Sequence, residues 1–189
     1  IFVPAWHESA VIGQMLDNNL GAIDYDHFAF FVGVYPNDPD SIAAVRSVST
    51  RSRNVHACVL PHDGPSSKAD CLNWIYQSLC QIEVEQGEPF DLVLIHDAED
   101  IIHPTSLQWA AWYVSQGFDY IQVPVLALHT PIWEFTHGVY CDEFAELHGR
   151  DLPVRNALNG FVPSAGVGTC YRRELLDRLA AENNNRLFE

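Results

Sequence analysis

The sequence is short of positive charge. Ten bases face 25 acids, for a formal charge of −15, and Lys68 is the sole lysine. A phosphate backbone would be repelled over most of such a surface, which excludes nucleic acid as a general partner. Any anionic ligand needs a local positive centre: a metal, a helix N-terminus or one of the few bases. Long apolar runs are missing as well. No stretch approaches the roughly 20 apolar residues of a membrane helix, and no basic leader segment opens the chain. Cysteine is sparse and unpatterned. Cys58, Cys71, Cys80, Cys141 and Cys170 form no CxxC pair, so neither a zinc site nor a disulfide framework is expected. Four of them lie in apolar stretches as small hydrophobes, which fits a reducing compartment. Also absent are GxGxxG at the first strand, a P-loop, GxSxG and HExxH.

What is present is a globular composition, with 48% apolar and 19% charged residues over 189 positions. That length suits one domain with a single sizeable core. The ends, IFVP and NNNRLFE, read as interior sequence, so a piece of a longer chain is expected. Hydrophobic spacing predicts strands over 1–4, 28–34, 55–59, 92–95 and 120–125, with an extended segment over 166–171. It predicts helices from residue 9 to about 20, from 39 or 41 to about 50, over 69–82, 104–116, 136–148 and 173–182. Alternating strands and helices imply an α/β fold: a mostly parallel sheet with right-handed crossovers and helices on both faces. Ligands of such open sheets bind outside the carboxyl ends of the strands, where strand order reverses. The loops there are PAWHES, VYPNDPD, LPHDGPSSKAD and HDAEDIIHP, and polar residues gather in all four.

HDAED carries the sharpest signal. Acids stand at Asp97, Glu99 and Asp100, one residue beyond the apolar LVLI. In extended backbone Asp97 and Glu99 face one side, roughly 7 Å apart. If the chain turns after Ala98, Asp100 replaces Glu99 in that pair. Either pair suits a hard cation such as Mg²⁺ or Mn²⁺, which takes carboxylate oxygens together with substrate phosphates. The plain alternative is that these acids cap the next helix or lie in solvent. In PAWHES, Glu8 or Ser9 can cap a helix, or the loop can wall a nucleotide site. In VYPND, Asp38 can accept from a uracil or ribose, or form an ordinary turn. Lys68 opens a helix, where its charge opposes the dipole unless it serves an anion such as phosphate. Arg172 and Arg173, opening another helix, read as solvated. His96 and His103 flank the acids and read as structural.

Together these segments resemble the family 2 glycosyltransferases of the GT-A fold, a Rossmann-like nucleotide-diphospho-sugar transferase architecture. VPAWHE is similar to that family's VPAYNE opening, VYPND to its first nucleotide-contacting acid, and KADCLN to its KAxxLN segment. HDAED is similar to its DxD metal motif, and SAGVGTCYRRELL to its G-T-G…RR segment. HDAEDIIHP and THGVYCDEFAE resemble the membrane-bound phage-adsorption-protein branch. The resemblance implies an inverting, hexosyltransferase-like enzyme that moves sugar from a nucleotide-diphosphate sugar, most often UDP-linked, to a hydroxyl acceptor in cell-surface polysaccharide synthesis. It implies that Pro4, Ala5, Glu8, Tyr35, Asp38, Lys68 and Asp97 line the nucleotide-sugar site, and that Mg²⁺ or Mn²⁺ sits on Asp97 with Glu99 or Asp100. It implies that residues 1–189 form one GT-A-type domain lacking its C-terminal part, and a parent held at the cytoplasmic side of the bacterial inner membrane. The piece itself is then soluble. The family's general base, in a T-E-D motif, is expected after Glu189, so no catalytic residue is assigned and little activity is expected of the chain alone. A non-catalytic nucleotide-sugar-binding module is the alternative. An aspartyl phosphatase would carry DxD at its first strand. A sugar nucleotidyltransferase would carry a glycine- and arginine-rich loop near residue 10. Neither feature is there.

Overall fold

The computed structural model describes residues 1–128, 131 and 133–188. The chain divides into two compact units, one of Ile1–Ile121 with Cys170–Glu189 and one of Gln122–Thr169.

The first unit follows the alternation of the sequence. Its elements are β1 (Phe2–Pro4), α1 (Ile12–Ala22), β2 (Phe30–Val34), α2 (Pro39–Ser49), β3 (Val55–Val59), α3 (Lys68–Gln86), β4 (Leu92–Ile95), α4 (Ser106–Ser115), β5 (Tyr120–Gln122), β6 (Thr169–Arg172) and α7 (Arg173–Glu182). The six strands form one sheet in the order β3-β2-β1-β4-β6-β5. β1 runs parallel to β2 and β4, and β2 parallel to β3. The bonds Arg172 N–H to Asp119 O (2.9 Å) and Val123 N–H to Gly168 O (2.8 Å) run β5 and β6 antiparallel, so the sheet is mixed. β5 stops at Gln122, short of the expected 125, because Pro124 has no N–H to give a ladder.

Side-chain alternation divides the core by face. Val3, Phe30, Val32, Val34 and Leu94 pack with α1, α2 and α4. Phe2, Phe31, Val93 and Ile95 pack with α3 and α7. Strands buried on both faces read as continuous apolar runs, as FFVGV and LVLI do. Gly33 is needed where it stands: a Cβ there would lie 2.8 Å from Ile75 Cδ1 on α3.

The second unit is helical. It holds α5 (Phe135–Glu146), a π-helical turn (Leu147–Asp151) and α6 (Leu152–Ala157). The expected helix over 136–148 is there, with a further turn and helix beyond it. No described helix is long and apolar enough to cross a membrane.

Candidate functional site

Strand order reverses between β1 and β4, since β2 and β3 lie on one side of β1 and β6 and β5 beyond β4. A crevice opens at the carboxyl ends of such a pair. There the structure holds a cleft of about 220 Å³, bordered by Pro4, Ala5, Trp6, Glu8, Tyr35, Ser66, Lys68, Cys71 and Asp97. Of the seven residues expected to line a nucleotide-sugar site, six meet here and Asp38 does not. A larger cavity of about 540 Å³ lies within the second unit, lined by residues such as Leu126, Phe135 and Asp142. None of the expected site residues borders it.

Each wall has a local cause. Lys68 is the first residue of α3, behind Ser67, whose hydroxyl accepts from Asp70 N–H (3.1 Å). This places the ammonium at the positive end of a 19-residue helix, and it pairs with Asp97 Oδ1. The Tyr35 hydroxyl is 2.8 Å from Ser66 Oγ, and its ring meets Trp6 edge-on at 5.1 Å. Gly64 passes so close that a Cβ would lie 2.6 Å from the Trp6 ring.

Asp38 serves the scaffold. It is 3% exposed, caps α2 by accepting from Ser41 N–H (3.3 Å), and accepts from His7 N–H at 2.7 Å. Burial pushes its carboxyl up, but the hydrogen bonds from Ser41 and His7 outweigh this and hold it below the usual range. The bond to His7 fixes a non-glycine residue at φ 60°, so the PAWHE loop is held in a sparsely populated conformation. Glu8 makes its cap with its backbone carbonyl, which accepts from Val11 and Ile12 N–H (3.0 and 2.9 Å). No side-chain cap is made at α1.

The three acids of HDAED separate. Asp97 faces Lys68. Asp100 turns back: its Oδ2 accepts from Asp97 N–H (2.9 Å) and lies 2.8 Å from His96 Nδ1. Glu99 is exposed. Partial desolvation, then the charges of Asp97, Glu8 and Asp100, push its carboxyl above the usual range. Among the described residues no three His, Cys, Asp or Glu side chains converge as a metal cage. Asp100 is held by His96 and backbone, and Lys68 stands against Asp97. The residues still fit a divalent ion in kind: the carboxylates of Glu8 and Asp97 border the cleft, and their charge crowds that of Glu99.

Residues 1–188 match the family described as glycosyltransferase-like family 2. The chain belongs to that family. Over its whole length it is 44% identical to bacteriophage adsorption protein B of Escherichia coli strain K12, and equally to bacteriophage N4 adsorption protein B of E. coli O157:H7. It spans about a quarter of the length of these curated relatives, 25% of each. Glucosyl-3-phosphoglycerate synthase from Mycobacterium tuberculosis, solved in complex with uridine diphosphate, is similar in fold. It has a TM-score of 0.50 and 18% identity, over 93% of this chain and 56% of that one.

Other segments that resemble the glycosyltransferase family have structural duties in this structure. Arg173 is buried rather than solvated, paired with Glu83 (2.8 Å) and Asp177 and lying over the Tyr76 ring at 4.9 Å. Arg172 reaches the Val114 carbonyl and Asp119. Asn73 of KADCLN binds backbone instead of lining the cleft. Its Oδ1 accepts from Leu187 and Phe188 N–H (2.7 and 3.1 Å), and its Nδ2 donates to Phe188 O (2.9 Å). Asn19 holds the HDAED segment from α1, bonded to Asp100 O and Ile102 N–H. Its signal was a polar residue on the buried stripe of α1, after Ile12, Met15 and Leu16.

Proposed function

We propose that the chain is the donor-binding part of an inverting, metal-dependent glycosyltransferase. It takes a nucleotide-diphosphate sugar, UDP-linked and hexosyl, and serves transfer to a hydroxyl acceptor in cell-surface polysaccharide synthesis. Residues 1–189 form one GT-A-type domain in this reading, within a longer protein at the cytoplasmic side of the bacterial inner membrane. Five free cysteines support a reducing compartment.

One observation carries the reading. The sole lysine of a chain with a formal charge of −15 stands at a helix N-terminus against Asp97, at the switch point of the sheet. A positive centre placed there, in so acidic a protein, suits a diphosphate. Lys68 and the first amides of α3 hold the phosphates. Pro4, Ala5, Glu8 and Tyr35 border the nucleoside, and Asp38 shapes that wall from behind through His7. Asp97 with Glu99 would hold Mg²⁺ or Mn²⁺, which supplies Lewis-acid stabilisation of the departing diphosphate. The engagement of Asp100 by His96 supports that pair over Asp97 with Asp100. No residue of the chain is assigned as the base that takes the acceptor proton.

Calorimetry with UDP-glucose, with and without Mn²⁺, tests this. Binding is expected to need Mn²⁺, and Asp97→Ala, which removes a ligand itself, is expected to weaken it by more than the roughly 100-fold upper end for outer-shell partners. Equal affinity with and without the ion, unchanged in Asp97→Ala, overturns the reading.

A further inference from the structure

The HDAED turn is fastened to the protein interior by a side chain that never reaches the cleft. Asn19 lies on α1 and is 1% exposed. Its Nδ2 donates to Asp100 O at 2.9 Å, and its Oδ1 accepts from Ile102 N–H at 2.9 Å. Both halves of one amide are thus matched to two backbone groups, one on the last of the acids and one two residues beyond it. Ile102 is itself buried against the same core as α1. The hold continues outward: the Asp100 carboxylate takes Asp97 N–H and faces His96, and Asp97 then presents its own carboxylate to Lys68. A second tether runs from the segment just after α1. Asp24 N–H donates to Pro104 O (2.9 Å), and exposed Gln108 reaches back to Asp24.

We infer that Asn19 is a positioning residue for the Asp97–Asp100 turn. It fixes the direction of the Asp97 and Glu99 carboxylates through backbone, without touching ligand. The physical argument is satisfaction. An unpaired buried amide or carbonyl is costly, so this turn keeps the register that gives Asn19 both partners. An apolar residue at position 19 would leave Asp100 O and Ile102 N–H without that partner in the interior, and the turn would move to find water. A charged Asp keeps the acceptor for Ile102 and loses the donor for Asp100.

The inference rests on the proposed metal-dependent donor site, and its test separates the two. Mn²⁺-dependent UDP affinity is measured by calorimetry for the wild type, Asn19→Ala, Asn19→Asp and Leu16→Ala. Leu16→Ala damages the same buried stripe and the core that α1 shares with Ile102, but keeps both Asn19 hydrogen bonds. Amide exchange at Asp97 and Ile102 is followed in each folded variant. The expected result is a loss of about 10–100-fold in the Mn²⁺-dependent part for Asn19→Ala, the range for outer-shell partners of a metal ligand. Asn19→Asp should fall between, Leu16→Ala should match the wild type per folded molecule, and protection at Asp97 should be lost only in the Asn19 variants. Wild-type-like exchange at Asp97 in Asn19→Ala overturns the inference, as does an equal affinity loss in Leu16→Ala. If the wild type shows no metal-dependent binding, the donor-site reading fails, and exchange alone then decides whether Asn19 sets the turn. Should Asn19→Ala not fold, Asn19→Asp carries the same comparison.

Discussion

β2 and α5 are both rich in large apolar side chains, yet they have opposite fates. All five residues of FFVGV are buried. α5 carries Phe135, Val139, Tyr140 and Phe144, and none of its residues is buried. The difference is one of neighbours. β2 lies between β1 and β3, with helices packed on both faces. In the unit that contains α5, Leu152 is the one buried aliphatic side chain among the described residues, and Trp133, Leu158 and Phe161 are exposed as well. Apolar content thus states what a segment would gain by burial, and topology decides whether it gains it.

The contrast can be broken by experiment. Phe31, packed edge-on against Phe2 and Phe90, should cost about 3–5 kcal/mol when changed to Ala, read from the urea midpoint. A loss under about 1 kcal/mol would mean that the sheet core is looser than its burial implies. A smaller effect is expected at His148, in the π-helical turn. It is 3% exposed, stacks on Phe144 at 5.6 Å, and neither ring nitrogen has a hydrogen-bond partner among the described residues. Burial lowers its pKa from 6.5, so the folded state prefers the neutral ring. That contribution is present above about pH 6.5 and is lost as pH falls toward the lowered folded value. Unfolding midpoints between pH 7.5 and pH 5 should therefore drop less in His148→Phe than in the wild type; equal slopes would remove His148 from the account. The smallest effect is expected at Phe161. Phe161→Ser should change stability by no more than about 0.5 kcal/mol, and a cost of several times that would show Phe161 covered in solution.

The sequence showed the parts of this molecule that depend on near neighbours. β1 to β4 and the helices between them follow from spacing alone. Asp97 was legible because a strand end aims it at the switch point. What escaped were contacts made across long stretches of chain. Asp38 is drawn out of the cleft by His7, 31 positions earlier. Arg173 is drawn inward by Glu83, 90 positions away. Asn19 gains its meaning from Asp100, 81 positions on. The π-helical turn was illegible for a local reason: Gly149 and Pro153 carry stop signals, yet Pro153 sits in the first turn of α6, where its missing N–H costs nothing.

Gly33 has a reach beyond its own strand. Because it offers no side chain, Cys71 and Ile75 lie almost on the backbone of β2, and α3 rests low against the sheet. Lys68 begins that same helix. A single methyl group added at this spot would act as a shim, tilting the rod and carrying the ammonium at its tip away from Asp97. The stance of the charge over the crevice is thus set by an atom the protein does without.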